Sequence, residues 1–207
     1  ERILPKLLIQ AGIGLMVVGI FLLYRVVSLT ITIGQMAIPL GIFGVGMGLL
    51  MAHLVNLILS SVDANDSPEA SGVNNAMDQL GNSLGTAVVG SLLMAFFLGN
   101  VVDTVLKDHS LQVTPQERTQ IITQLEDARE TITEEEYQAF YTQLSPDIQQ
   151  GIETLKDNSI VTAMEDTLIV MGALLIIMFI LATFMPKKER AISPAERVPD
   201  IHEGNSK

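Results

Sequence analysis

The 207-residue sequence contains no cysteine, which excludes a disulfide framework and any thiolate metal site. Its three histidines, His53, His109 and His202, stand far apart and show no ligand spacing, so no metal centre is expected. Basic residues are scarce: 12 Lys and Arg stand against 23 Asp and Glu, a formal charge of −11. A chain so acidic lacks the basic patches that nucleic acid requires. GxSxG, HExxH and P-loop patterns are missing as well, so neither an enzyme nor a cofactor is expected. The chain opens at Glu1 rather than Met and runs through ERILPK almost directly into an apolar span. No small-residue cleavage site follows that span, so it does not read as a signal peptide. The expectation is a C-terminal piece of a larger membrane protein, partnered by N-terminal transmembrane helices of the same protein.

What the sequence has in abundance is apolar length. Hydrophobic residues make up 48% of the chain, and the mean hydropathy is +0.41. About 20 helical residues cross a bilayer's hydrocarbon, and four runs reach that length: roughly 5–26, 33–59, 69–99 and 160–185. The expected fold is an all-α membrane protein: three transmembrane helices in 1–99, an extramembrane loop 100–159, a final transmembrane helix, and a tail 186–207. Tyr24 and Arg25 suit the end of the first span as interfacial anchors. In the link before the third span, Ser67 suits a helix cap, Pro68 the first helical position and Glu69 the positive helix end. The second and third helices therefore read as an antiparallel hairpin.

Residues 100–159 are different material, with 12 Asp and Glu against 4 Lys and Arg. Two capping boxes recur there, Thr114-Pro115-Gln116-Glu117 and Thr133-Glu134-Glu135-Glu136, and Ser145-Pro146-Asp147 fits a third helix start. Apolar residues follow each at helical spacing: Ile121, Ile122 and Leu125; Tyr137, Phe140, Tyr141 and Leu144; Ile148, Ile152 and Leu155. This loop is expected to be a small helical subdomain in water. Lys187, Lys188 and Arg190 follow the last span, which favours a cytoplasmic C-terminus and, with four spans, a cytoplasmic Arg2 and Lys6. The acidic loop then lies outside, Asp63, Asp66 and Glu69 lie inside, and Arg25 on the outer side dissents.

The third span poses the chemical question. Its first half, GVNNAMDQLGNSLG, carries Asn74, Asp78, Asn82 and Thr86 four positions apart, so they share one helix face. Asn75, Gln79 and Ser83 widen that face, while Val73, Met77, Leu80, Leu84 and Val88 occupy the other side. An Asp at mid-helix costs about 3 kcal/mol to insert, and such residues face a bundle interior or a wet cavity. Three readings of Asp78 stand open. It is a neutralised packing carboxylate, a carboxylate on a transport path whose raised pKa lets it exchange a proton, or half of a gating salt bridge. Asn74, Gln79, Asn82 and Thr86 are the candidate cavity-lining residues. Gly44 and Gly48 in the second span, and Gly81 and Gly85 in the third, form GxxxG pairs suited to close helix packing. Gly41, Gly46 and Gly90 extend these small faces, and Pro39 suits a kink. Weaker candidates are His53, either titrating or hydrogen-bonded at an interface, and Glu165 and Asp166, either reaching water or forming an outer cation site.

GVGMGLLMAHL, then SPEASGVNNAMDQLGNSLGTAVVGSLL, resembles the closing helices of major facilitator superfamily transporters. The nearest branch is the fourteen-helix drug:proton antiporters, including the quaternary-ammonium and multidrug efflux pumps. The most specific part is ASGxxNxxxxLGxSLGxAVxG at 70–90, and PKLLIQAGIGLMVVGIFLL is similar to the helix three before the last. The resemblance implies that two helical halves rock around a central cavity to exchange protons for lipophilic, often cationic, drugs. It also implies a bacterial cytoplasmic membrane, and an extracytoplasmic loop before the final helix. This chain departs from the family where relatives commonly read RQLG: it has Asp78-Gln79-Leu80-Gly81. Two other functions fit the residues: a transporter of the same fold for another metabolite, or a four-helix anchor presenting an extracytoplasmic sensor domain.

Overall fold

The computed structural model describes residues 5–60, 62 and 65–184. The expectations for Arg2, Asp63, Lys187, Lys188, Arg190, His202 and the tail lie outside those residues. The described chain is all helix: α1 (Pro5–Val26), α2 (Ile33–Ser60), α3 (Ser67–Asp108), α4 (Pro115–Thr131), α5 (Glu134–Tyr141) and α6 (Pro146–Thr183). Four of these, α1, α2, α3 and α6, are long and apolar enough to cross a membrane.

The first two spans end where the hydropathy ends, but α3 and α6 do not. No proline or glycine interrupts α3 beyond Gly99, so its ladder continues for 42 residues. α6 starts at Pro146, making one 38-residue rod of the loop's third helix and the final span. The 100–159 subdomain is thus the projecting ends of two spans, with α4 and α5 folded against them. α3 stops at a Schellman turn, in which the Leu111 N–H donates to the Leu106 carbonyl (2.9 Å) and the Ser110 N–H to Lys107 (3.1 Å). Ser110 holds the left-handed conformation this turn needs, with φ of 52°, at a position that glycine usually fills.

Local start signals behave as their chemistry requires. Thr114 and Thr133 each accept the N–H of the third helical residue, while Glu117 and Glu136 reach back to the cap N–H, closing both capping boxes. Gln35 makes the reach-back half of the same device at α2, accepting the Thr32 N–H at 2.9 Å. At α3 the register is one residue off the expectation: Asp66 holds the cap position, and Ser67 is the first helical residue. Pro68 is tolerated one place further in because the early helix N–H groups have no intrahelical acceptor. Ser145 caps α6 in position only, with no side-chain cap bond.

The tightest packing is between α1 and α2. A Cβ on Gly12 would lie 2.7 Å from the Gly46 carbonyl oxygen, and one on Gly46 would lie 2.5 Å from that of Gly12. Gly19 faces Phe43 in the same way, at 2.8 Å. The backbones therefore touch, and Ile9, Ile13, Met16, Leu50 and Ala182 close the core around that contact. Gly44, Gly48, Gly81 and Gly85, the glycines expected to serve helix packing, meet nothing within 4 Å among the described residues. The α1-facing surface of α2 carries Gly46, two positions away from the GxxxG face of Gly44 and Gly48.

α6 lies antiparallel to α1, since Lys6 donates to the Thr183 carbonyl at one end while Ile20 sits 3.6 Å from the Cβ position of Gly172 further along. α6 also packs on α3, but α2 and α3 touch little, so the expected α2–α3 hairpin is not a packed one. The buried residues of α6 include Ser159, Ala163 and Thr167, four apart on one face. Those of α3 are Leu98, Gly99 and Val102, all towards its C-terminal end. Many large apolar side chains on the outside of the bundle, such as Phe21, Ile176, Ile180 and Leu181, are exposed, as helices against lipid or further helices must be.

Candidate functional site

Inward of its contact with α6, α3 stands away from the rest of the described chain. From Gly72 to Val88 every residue is exposed except Asn74, which is half-buried. The polar face of Asn74, Asp78, Asn82 and Thr86 and the apolar face of Val73, Met77, Leu80 and Leu84 are thus both uncovered. Thr86 turns its hydroxyl onto its own helix, donating to the Asn82 carbonyl at 2.8 Å. That removes its hydrogen and leaves oxygen lone pairs for a partner. Asp78 and Gln79 have no hydrogen bond or ion pair among the described residues. A neutralising partner for Asp78 is therefore not supplied by the described part of this chain.

Sequence reading missed two features of the packing around this stripe. α4 doubles back along α3: Arg118 makes a bidentate bond to Asp103 (2.6 and 2.8 Å), and its guanidinium lies 3.2 Å from the Cβ position of Gly99. Further along α4, Glu126 and Asp127 line one cavity of about 550 Å³ with Thr86, Gly90, Ser91 and Met94. Two carboxylates thus stand beside the middle of a helix that hydropathy alone assigns to lipid out to residue 99. On α6, Glu165 and Asp166 are half-buried. Because Ile20 lies beside Gly172, Asp166 and Arg25, each about 8 Å outward along its helix, share one level.

Outside the spans the charge pattern is legible. Arg118 holds Asp103 below the ordinary carboxylate range, chiefly through their hydrogen bonds, and the Arg118 pKa is raised in turn. Bonds from the cap N–H and hydroxyl of Thr114 and Thr133 lower Glu117 and Glu136. Tyr141 is pushed up by desolvation and by its hydrogen bond to Glu153. His53, half-buried in α2, bonds through Nδ1 to the Leu49 carbonyl at 2.8 Å. Nδ1 then carries the proton in the neutral ring, and the bond is one to its own helix. No group of three or more potential metal ligands exists among the described residues.

No family model matches the chain, and no solved structure does. Among curated proteins the chain is similar to the "Probable actinorhodin transporter" of Streptomyces coelicolor, at 28% identity over 172 residues. The alignment covers 73% of this chain but 29% of that protein, so the chain spans less than a third of the relative's length. With four helices able to span a bilayer, this distant similarity points to an integral membrane protein and supports a transporter role.

Proposed function

We propose that the chain is the closing part of a proton-coupled efflux transporter of the major facilitator kind, exporting lipophilic cations. The observation that carries this is Asp78, on the polar face of an uncovered helix, with no partner among the described residues. The depth of α3 supports the same reading. Glu126 and Asp127 beside Gly90 and Met94 belong outside hydrocarbon, so the apolar layer begins near residue 90 on the outer side. About 20 residues of helix then carry the layer inward to around residue 70. The polar face from Asn74 to Thr86 fills most of that layer, which a plain anchor does not need.

In this reading a proton and the substrate cation compete for the one carboxylate that Asp78 places on the polar wall. Binding then exchanges one positive charge for another: the carboxylic acid releases its proton, and the carboxylate pairs with the substrate cation. Asn74, Gln79 and Asn82 supply hydrogen bonds along the same wall. The subdomain of α4 and α5 lies on the extracytoplasmic side, and the inner ends of α3 and α6 face the cytoplasm. The test is Asp78→Asn in the intact protein, with cation efflux followed against external pH. Efflux falls strongly and loses its pH dependence; unchanged efflux with an unchanged pH profile removes Asp78 from the mechanism.

A second reading follows from the relative's name, which attaches actinorhodin rather than a cation to that protein. Under it the substrate is another metabolite, and Asp78 is a hydrogen-bonding wall residue. Competition for transport between a lipophilic cation and a neutral compound of the same shape separates the two readings.

A further inference from the structure

On the outer face of the bundle, α4, α5 and α6 enclose a groove of about 680 Å³ that has no part in the proposed transport step. Its floor is apolar, with Phe97 of α3 and Leu125 and Ile132 of α4. Its wall is aromatic: Tyr137 and Tyr141, one turn apart on α5, stack with centroids 5.9 Å apart and planes inclined by 22°. Tyr141 is fixed in place, since its hydroxyl donates to Glu153 Oε1 at 3.2 Å, and its carbonyl accepts from Gln149 Nε2 at 3.0 Å. Tyr137 is the open member of the pair, 40% exposed.

The charge on the rim selects the sign of the occupant. Glu134 and Glu153 line the groove against one cation, Lys156. Glu134 accepts only a neutral amide hydrogen, from Gln138 at 2.9 Å, and no ion pair involves either carboxylate among the described residues. Lys156 is exposed, and its long stem can carry the ammonium away into water. The surrounding segment 100–159 adds a strong negative field, with its 12 acidic and 4 basic residues. Aromatic faces attract cations over their centres, and the volume suits a small molecule. An apolar floor, an aromatic wall and unpaired carboxylates together describe one kind of ligand.

We propose that this groove is an outward-facing binding site for a lipophilic organic cation, received on the Tyr137 ring and neutralised by Glu153 and Glu134. The proposal shares the substrate class of the exporter reading and rests on it for that alone; neither Asp78 nor transport enters it. The chain's three tyrosines supply the probe, because Tyr24 lies on α1, outside the groove. The full chain in detergent, labelled with 3-fluorotyrosine, is titrated with tetraphenylphosphonium and followed by fluorine NMR. The Tyr137 and Tyr141 signals shift saturably and the Tyr24 signal stays. Tetraphenylborate, of the same shape and opposite charge, produces no saturable shift. Glu153→Gln and Tyr137→Leu each weaken binding roughly three- to tenfold, read at a remaining groove tyrosine, while Tyr137→Phe retains it. Asp78→Asn leaves these shifts unchanged, so the outcome is independent of the transport assay. A Tyr24 shift in step with the others, equal binding of the borate, or full affinity in Tyr137→Leu overturns the proposal. So does loss of binding in Asp78→Asn, which would move the cation to α3.

Discussion

The α1–α2 pair and the inner half of α3 are built from similar material with opposite outcomes. Both are glycine-rich and helical, and both present small residues at four-residue spacing. In the pair, Gly12 and Gly46 bring two backbones into contact, and a core closes around them. In α3, Gly81 and Gly85 meet nothing within 4 Å among the described residues, and the helix around them is exposed. A GxxxG spacing therefore states that a close approach is possible, while the opposing helix decides which glycines make it. Gly46 is chosen because Gly12 faces it, and nothing in the local sequence of α2 marks it above Gly44 or Gly48.

The comparison is sharpest in the stability of substituted chains. Gly46→Ala or Gly12→Ala forces a Cβ into a backbone that cannot move aside, so it costs about 1–3 kcal/mol of α1–α2 packing. Gly44→Ala, Gly48→Ala and Gly81→Ala stay within about 0.5 kcal/mol of the parent. Thermal unfolding of the 207-residue chain in detergent measures both sets; equal losses in the two would erase the distinction. In a longer protein of the proposed kind, by contrast, Gly81→Ala and Gly85→Ala should become damaging if partner helices cover α3. The next effect falls on the outer subdomain, where Thr114→Ala removes a closed capping box and speeds amide exchange in the first turns of α4 roughly fivefold, leaving α1 and α2 untouched.

Acid gives a smaller effect of definite sign. Asp103, Glu117 and Glu136 all have folded pKa values below their ordinary ones, 3.8 for Asp and 4.5 for Glu. Their stabilisation is therefore fully present above about pH 5 and is lost as pH falls through the lowered folded values. Protection factors in α4 and α5, taken relative to the intrinsic exchange rate at each pH, should fall below about pH 4 and stay flat between 5 and 7, while the α1–α2 core keeps its protection. An inflection near neutral pH would contradict that assignment. The partners are exposed, so Asp103→Asn alone costs no more than about 1 kcal/mol. The smallest change is Ser110→Gly, which relieves a left-handed φ and leaves stability equal or higher by up to about 1 kcal/mol.

Local chemistry is readable in the sequence by itself. Length and hydropathy locate the four spans, and Thr114 and Thr133 announce their helices through the Glu three residues on. Pro39 is the limiting case: it lies inside α2, whose helix runs unbroken from Ile33 to Ser60. What sequence does not convey is tertiary. Hydropathy does not show that α3 and α6 continue past the lipid, because a helix leaving a bilayer keeps its ladder and merely changes its surface. Nor does any local signal reveal that α4 folds back along α3 until Glu126 and Asp127 stand beside Gly90. The polar face of Asn74, Asp78, Asn82 and Thr86 is visible from spacing alone; the absence of a described partner for Asp78 emerges only from the packing.

The unbroken length of α3 carries a mechanical consequence. At 1.5 Å per residue, its 42 residues make a rod about 63 Å long. Its C-terminal third is clamped by α6 and by the Asp103–Arg118 bond, while from Gly72 to Val88 every residue except Asn74 is exposed among the described residues. A stiff rod held near one end behaves as a lever. If the clamp tilts by about 5°, the far end sweeps about 5 Å, close to one helical turn. A tilt of that clamp therefore carries along α3 to the level of Asp78, its sweep growing with distance from the pivot.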